Sequence, residues 1–324
     1  MNNIEKLIAE TNKAFGKDII GYAKDMDVDL KRVSTGSMYL DWATGGGFPL
    51  GRIVEIFGPY ASGKTLICLK TIVEAQKAGL PCVYVDAEQS FAPKLAQAQG
   101  VDLEKLILVQ TSGGEDIFDF IRDLFATQQA GVLVVDSVAA LVPNYEEDND
   151  MTKQTMGLAA RLMAKGLRIS NNANKGWLVI FVNQIREKIG VMYGSPETTT
   201  GGRALPFYAS LRVKVNIGEK YEENDKRIGQ EVKFRIEKSK VGMPFRIGSF
   251  KFFYQAGIDK VDEMLTLGLE LKMAEQSGAW YTLLGERFQG KDAIVSKLKE
   301  DQTYFTKFET ALREKINESN RALR

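Results

Sequence analysis

Residues 58 to 65 read Gly58-Pro59-Tyr60-Ala61-Ser62-Gly63-Lys64-Thr65, with Leu66 following. Two glycines let a backbone wrap a polyphosphate closely while its N–H groups face the negative charge. Lys64 supplies a cation for the β- and γ-phosphates, and the Thr65 hydroxyl supplies a Mg²⁺ ligand. Hydrolysis of such a nucleotide also needs a group that orients water. The chain has no histidine, so imidazole catalysis is excluded and a carboxylate is the natural choice. Glu88, in Asp86-Ala87-Glu88, is the candidate. Asp136, after the apolar run Val132 to Val135, stands where a carboxylate holds Mg²⁺ through water; alone, such a residue would more readily cap a helix. Gln184 carries an amide suited to sensing a γ-phosphate.

These residues need a frame that brings them to one edge. Gly51 to Phe57 reads as a buried strand, and Leu66 to Ala78 runs without a breaker until Gly79-Leu80-Pro81, which predicts a helix. Further apolar runs at residues 82–86, 106–109, 132–136 and 177–182 alternate with helical stretches at Glu115–Gln128 and Thr155–Asn172. That alternation predicts an α/β fold with a mainly parallel sheet covered on both faces. Segments 210–217, 231–238 and 245–254 follow one another without helices, so an antiparallel extension is expected. From Ile258 the pattern turns helical, with a hairpin expected over Trp280 to Phe288. Ile4, Leu7, Ile8 and Phe15 fall at helical spacing and predict a small amphipathic helix ahead of a polar linker. The expected division is 1–33 for an N-terminal helix and linker strand, 34–257 for the core, and 258–324 for a small α+β C-terminal domain.

The chain of 324 residues has 44% hydrophobic and 26% charged residues and a net charge of +1. This is ordinary for a soluble protein, and global charge announces no nucleic-acid partner. No apolar run reaches membrane-spanning length, and the N-terminus lacks a signal-peptide core, so no membrane partner and a cytoplasmic location are expected. Cys68 and Cys82 lie in apolar elements and read as core residues.

Ser34-Thr35-Gly36-Ser37, the segment 51–56, the phosphate loop, Asp86-Ala87-Glu88, the run 134–141, Met156-Gly157-Leu158-Ala159-Ala160-Arg161 and the run Asn183-Gln184-Ile185-Arg186 to Gly202 together resemble the bacterial RecA family. The resemblance extends to Gly278-Ala279-Trp280-Tyr281. It implies a RecA-type P-loop core with an N-terminal helix–strand arm, binding ATP and Mg²⁺. It implies a DNA-dependent ATPase that self-associates into a helical filament on single-stranded DNA, pairs that strand with homologous duplex DNA and exchanges strands. Carried across, Glu88 matches the water-activating residue and Gln184 the γ-phosphate sensor. Residues 146–156 match a first DNA-binding loop and 185–202 a second. DNA contacts then fall to Met156, Gly157, Arg161, Arg168, Arg186, Lys188, Ile189, Gly190, Thr200, Gly201 and Gly202, with Ile189 as the wedge between base triplets. Lys238 and Lys240 match a pair reaching the neighbouring subunit's ATP.

The chain departs from the family at Ala92 and Leu95, which replace the Asp and Tyr that recognise adenine, and at Glu187 and Arg203. Two other readings are weighed. One is a ring helicase or DNA motor on the same core, disfavoured by the run 183–202. The other is a filament-forming regulator with a vestigial ATPase, which the intact Lys64, Thr65, Glu88 and Asp136 argue against.

Overall fold

The structure, a computed structural model, describes residues 2–16, 20–22, 30–147, 157–187 and 197–321. They form two compact units, one ending at Lys31 and one beginning at Arg32. The first holds α1 (Asn3–Phe15). A capping box starts it: the Asn2 side chain accepts from the Ile4 and Glu5 amides, and the Asn2 amide donates to Glu5. Ile4, Leu7 and Phe15 are exposed, so the expected apolar stripe is present and open.

The second unit begins with β1 (Arg32–Val33), α2 (Met38–Thr44), β2 (Phe48–Pro49), β3 (Ile53–Gly58) and α3 (Lys64–Lys77). There follow β4 (Cys82–Asp86), α4 (Pro93–Ala98), β5 (Leu106–Val109), α5 (Gly114–Ala126), β6 (Gly131–Asp136), α6 (Asn144–Glu147) and α7 (Leu158–Ala173). Then come β7 (Trp177–Glu187), β8 (Glu197–Thr199), α8 (Ala204–Tyr208), β9 (Leu211–Glu223), β10 (Lys226–Ser239), β11 (Ile247–Phe253) and β12 (Gly257–Ile258). The chain closes with α9 (Lys260–Glu270), β13 (Ala274–Ser277), β14 (Trp280–Leu283), β15 (Glu286–Gln289), α10 (Lys291–Glu300) and α11 (Gln302–Arg321).

One large sheet runs β12-β11-β10-β9-β3-β7-β6-β4-β5. From β9 to β5 the pairings are parallel; β9 to β12 form the expected antiparallel extension. Side-chain alternation sorts the central strands onto two cores. Val54, Ile56, Val134 and Ile180 face α3, in a core continuous with that of the C-terminal helices, whereas Ile53, Val135, Val179 and Phe181 face α5 and α7. Register decides where the chemistry sits. Gly58 lies opposite Gln184 and Asp86 opposite Asp136, so four strands bring these residues to one edge, the carboxyl edge that open α/β sheets use for ligands.

Two expectations are corrected. Helix α3 starts at Lys64, two residues early, because the phosphate loop itself feeds its first turn. Strand β7 runs on past Val182 to Glu187, since β8 gives its end an antiparallel partner. The hairpin expected over Trp280 to Phe288 is present, as the second and third strands of a three-stranded sheet. Its first strand, Ala-Glu-Gln-Ser, has one buried residue and no apolar alternation to reveal it. Cys68 and Cys82 are buried and unpaired, as expected.

Glu263 on α9 joins the C-terminal elements to the start of α2. Its Oε1 accepts from the Ser37 hydroxyl and from the Tyr39 amide at 3.2 Å. Burial pushes its carboxyl from 4.5 to about 7, against the hydrogen bonds from Ser37 and the Tyr39 and Met38 amides. Below pH 4.5 both folded and unfolded chains hold the proton. As pH rises toward 7 the unfolded chain ionises first, so stability falls through that window and then levels off. Glu263→Gln should remove about 3 kcal/mol of that fall, read by urea denaturation at stepped pH. An unchanged pH profile would show that Glu263 does not titrate in this way.

Candidate functional site

The phosphate loop leaves β3 and enters α3 at Gly63, a left-handed N-cap with no side-chain cap. The first-turn amides are thus available to an anion. Lys64 is nearly buried, and its ammonium donates to the loop's own carbonyls, Gly58 at 3.1 Å and Pro59 at 2.6 Å. Burial lowers its pKa, and the charges of Asp136 and Glu88 oppose that shift. Tyr60, expected among the nucleotide contacts, lies at the mouth of the cleft and is 89% exposed.

Thr65 Oγ1 donates to Asp136 Oδ2 at 2.9 Å, and the Tyr84 hydroxyl donates to the same oxygen at 2.6 Å. Burial raises the Asp136 pKa, and those two hydrogen bonds hold it down. Asp136 therefore does not cap a helix; it faces the hydroxyl at the start of α3. Among the described residues no group of three or more Cys, Asp or Glu converges. One hydroxyl and one carboxylate suit Mg²⁺, which keeps several waters and draws its remaining ligands from phosphates.

Glu88 meets this pair across the cleft. Its Oε1 accepts from Ser137 Oγ and from Gln184 Nε2 at 3.1 Å. Asp86 shapes the turn that carries it, accepting from the Ser90 and Phe91 amides, both at 2.9 Å. The resulting pocket of about 360 Å³ is lined by Lys64, Thr65, Glu88, Asp136 and Gln184 at one end. Phe91, Ala92, Leu95, Gln99 and Tyr254 line the other. The phosphate-end residues that the sequence singled out are therefore brought together.

Strand β7 carries Gln184 and continues to Arg186, which is exposed beside Thr200 and Gly201. Gly201 and Gly202, both at φ near +80°, close the far side of this segment. A Cβ on Gly201 would meet Val138 at 2.9 Å, and one on Gly202 would meet Ala160 at 3.1 Å. Gly157 starts α7, whose exposed residues Arg161 and Arg168 lie two turns apart on one face, with Lys165 between them. Met156, Lys188, Ile189 and Gly190 lie outside the described residues.

Lys238 and Lys240 are not brought to this pocket. The Lys238 ammonium donates to the Pro206 and Phe207 carbonyls at 2.7 and 2.8 Å, and Lys240 lies over the Phe207 ring at 5.6 Å. Burial, then the charges of Lys240 and Arg212, lower the Lys238 pKa.

Sequence reading missed Tyr84, Ser137, Lys165 and a buried network of Glu55, Arg212 and Asn183. Tyr84 had a signal: a tyrosine inside the valine-rich strand Cys-Val-Tyr-Val-Asp must find a partner for its hydroxyl. Tyr84→Phe conserves the ring and removes that donor from the half-buried Asp136 carboxylate. It should cost about 1.5–3 kcal/mol in chemical denaturation. Wild-type stability would show that the bond contributes nothing.

The RecA N-terminal domain model matches residues 2–259 and the RecA C-terminal domain model matches residues 262–317. The chain is 41% identical over 318 residues to Protein RecA of Acinetobacter baylyi, covering 97% of this chain and 91% of the relative. It is 43% identical over 317 residues to Protein RecA of Sinorhizobium medicae, covering 96% and 88%. Against Protein RecA of Mycoplasma mycoides it is 41% identical over 304 residues, covering 92% and 88%. Matched along nearly its whole length by both domain models and by these relatives, the chain belongs to the RecA family.

Proposed function

We propose that this RecA-family recombination protein forms a helical filament on single-stranded DNA, pairs that strand with homologous duplex DNA and exchanges strands, with ATP hydrolysis stimulated by DNA. One observation carries the coupling. The Gln184 amide holds Glu88, and the strand that bears Gln184 runs directly into the segment proposed to meet DNA. A change at the γ-phosphate and a change at bound DNA therefore act on one β-strand.

In this reading the phosphate loop from Gly58 to Leu66 cradles the nucleotide, Lys64 neutralises its β- and γ-phosphates, and Thr65 and Asp136 hold Mg²⁺. When bound, the ion would neutralise charge on the phosphate oxygens. Glu88 orients the attacking water, with Ser137 and Gln184 fixing its carboxylate. Arg161, Lys165, Arg168 and Arg186 offer charge to DNA phosphates, with Gly157, Thr200, Gly201 and Gly202 offering backbone. Met156, Lys188, Ile189 and Gly190 complete the two DNA loops. Lys238 and Lys240 act on the ATP of a neighbouring subunit in the filament. No described helix is long and apolar enough to cross a membrane, and a cytoplasmic site of action fits the two reduced, buried cysteines.

The deciding experiment is ATP turnover with and without single-stranded DNA, beside electron micrographs of the mixture. Turnover that ignores DNA, or closed rings in place of filaments, would overturn the reading. Glu88→Gln should bind a fluorescent ATP analogue as the wild type does and lose at least about 10²-fold in turnover. Wild-type turnover in that variant would remove Glu88 from the role.

Ala92 and Leu95 offer the base no charge and no aromatic face. Other purine triphosphates should therefore support turnover within about tenfold of ATP at equal concentration. A larger preference for ATP would place base recognition on other pocket residues.

A further inference from the structure

Strand β10 carries a row of core-facing residues, Val232, Phe234 and Ile236, all buried. Gln230 continues that row by strand alternation and is only 3% exposed. An amide in an apolar row is costly unless both of its ends are bonded. Here both are. Gln230 Nε2 donates to the Ala61 carbonyl at 3.0 Å, and Gln230 Oε1 accepts from the Arg227 guanidinium.

Ala61 lies in the middle of the phosphate loop at φ +57°, in the left-handed region that a residue with a Cβ occupies at a cost. Its carbonyl belongs to the peptide that also carries the Ser62 N–H. Fixing the carbonyl toward β10 turns that N–H the other way, as a loop that cradles phosphate requires. The loop also lies close against the strand: a Cβ on Gly63 would meet Val232 at 3.1 Å. Two register shifts in the β9–β10 ladder bracket Gln230, one between Arg227 and Gly229 and one between Gln230 and Val232. Irregularities of this kind re-aim side chains next to active sites.

We propose that Gln230, held by Arg227, is a positioning residue for the phosphate loop: it fixes the Ala61–Ser62 peptide from behind and so sets nucleotide affinity. This rests on reading the loop as the nucleotide site. Gln230 does not act on the reacting atoms, so its loss changes binding more than the chemical step.

The test uses the full-length protein without DNA and a fluorescent ATP analogue with Mg²⁺, followed by steady-state ATP turnover with DNA. Gln230→Met keeps length and removes both hydrogen bonds. It should raise Kd and KM by about tenfold and leave kcat within about twofold. Arg227→Met should raise Kd by a smaller factor, about threefold. The double variant should be no worse than Gln230→Met alone, since the two side chains act in series. Wild-type Kd and KM in a folded Gln230→Met protein would overturn the proposal. So would a lowered urea midpoint with kcat reduced and Kd unchanged, the pattern of a purely structural residue. If Gln230→Met does not fold, Arg227→Met alone decides, and an unchanged Kd there refutes the chain of contacts. A wild-type protein that fails to bind the analogue would instead remove the nucleotide site itself.

Discussion

A carboxylate with no access to water sits at the centre of the sheet. Glu55, fully buried on β3, is held by Arg212 Nε at 2.5 Å and by Asn183 Nδ2 at 2.9 Å. Removing Arg212 would strand a buried charge, at a cost of about 3–5 kcal/mol. Neutralised in this way, Glu55 fastens β3 to β9 on one side and to β7 on the other. Those strands carry the phosphate loop, the hairpin behind it and the segment running toward Thr200. The Arg212 guanidinium also covers the Phe57 ring at 4.5 Å, one residue before the loop begins.

Asn183 and Gln184 show how two neighbouring residues on one strand serve different networks. Side chains on a strand point alternately to opposite faces. Asn183 Nδ2 also donates to the Thr200 carbonyl at 3.1 Å, and its Oδ1 receives the Thr200 hydroxyl. Gln184 turns to Glu88 at the nucleotide end. The closure of the segment after β8 and the position of Glu88 are therefore separated by a single peptide unit. A change in β7 at this point is felt in both places.

Much of this was legible because the relevant signals are local. A buried parallel strand is a short apolar run, and its end is marked by the first polar residue. Asp86 and Asp136 are legible that way, and register brings them side by side; Gln184 lies one residue past the first polar position, Asn183, on a strand that runs on to Glu187. The three-stranded sheet near the C-terminus was half legible: β14 alternates buried Tyr281 and Leu283 with outward residues and β15 offers Phe288, while β13 is placed by its partner rather than by its own residues. Partnerships across long sequence distance left no pattern to read. Glu55 pairs with a residue 157 positions away, and nothing in Val-Glu-Ile announces that its charge is buried. Gln230 likewise reads as an ordinary polar strand residue until β10 is seen behind the phosphate loop. Lys238 and Lys240 carry no sign of Phe207 either, since that contact spans more than thirty residues.

The turn at Gly201 and Gly202 carries a consequence for how such a chain can vary. Both positions combine a left-handed backbone with a neighbour standing in the place of a Cβ, Val138 in one case and Ala160 in the other. Torsion and space each oppose a side chain there, so relief of one at either site leaves the other in place. Arg161, next to Ala160 on the same helix, faces solvent and meets neither restriction. Drift in descendants of this chain is thus channelled: backbone and packing hold the Gly201–Gly202 turn to glycine, while the charged face of α7 is held only by what it meets and not by the fold.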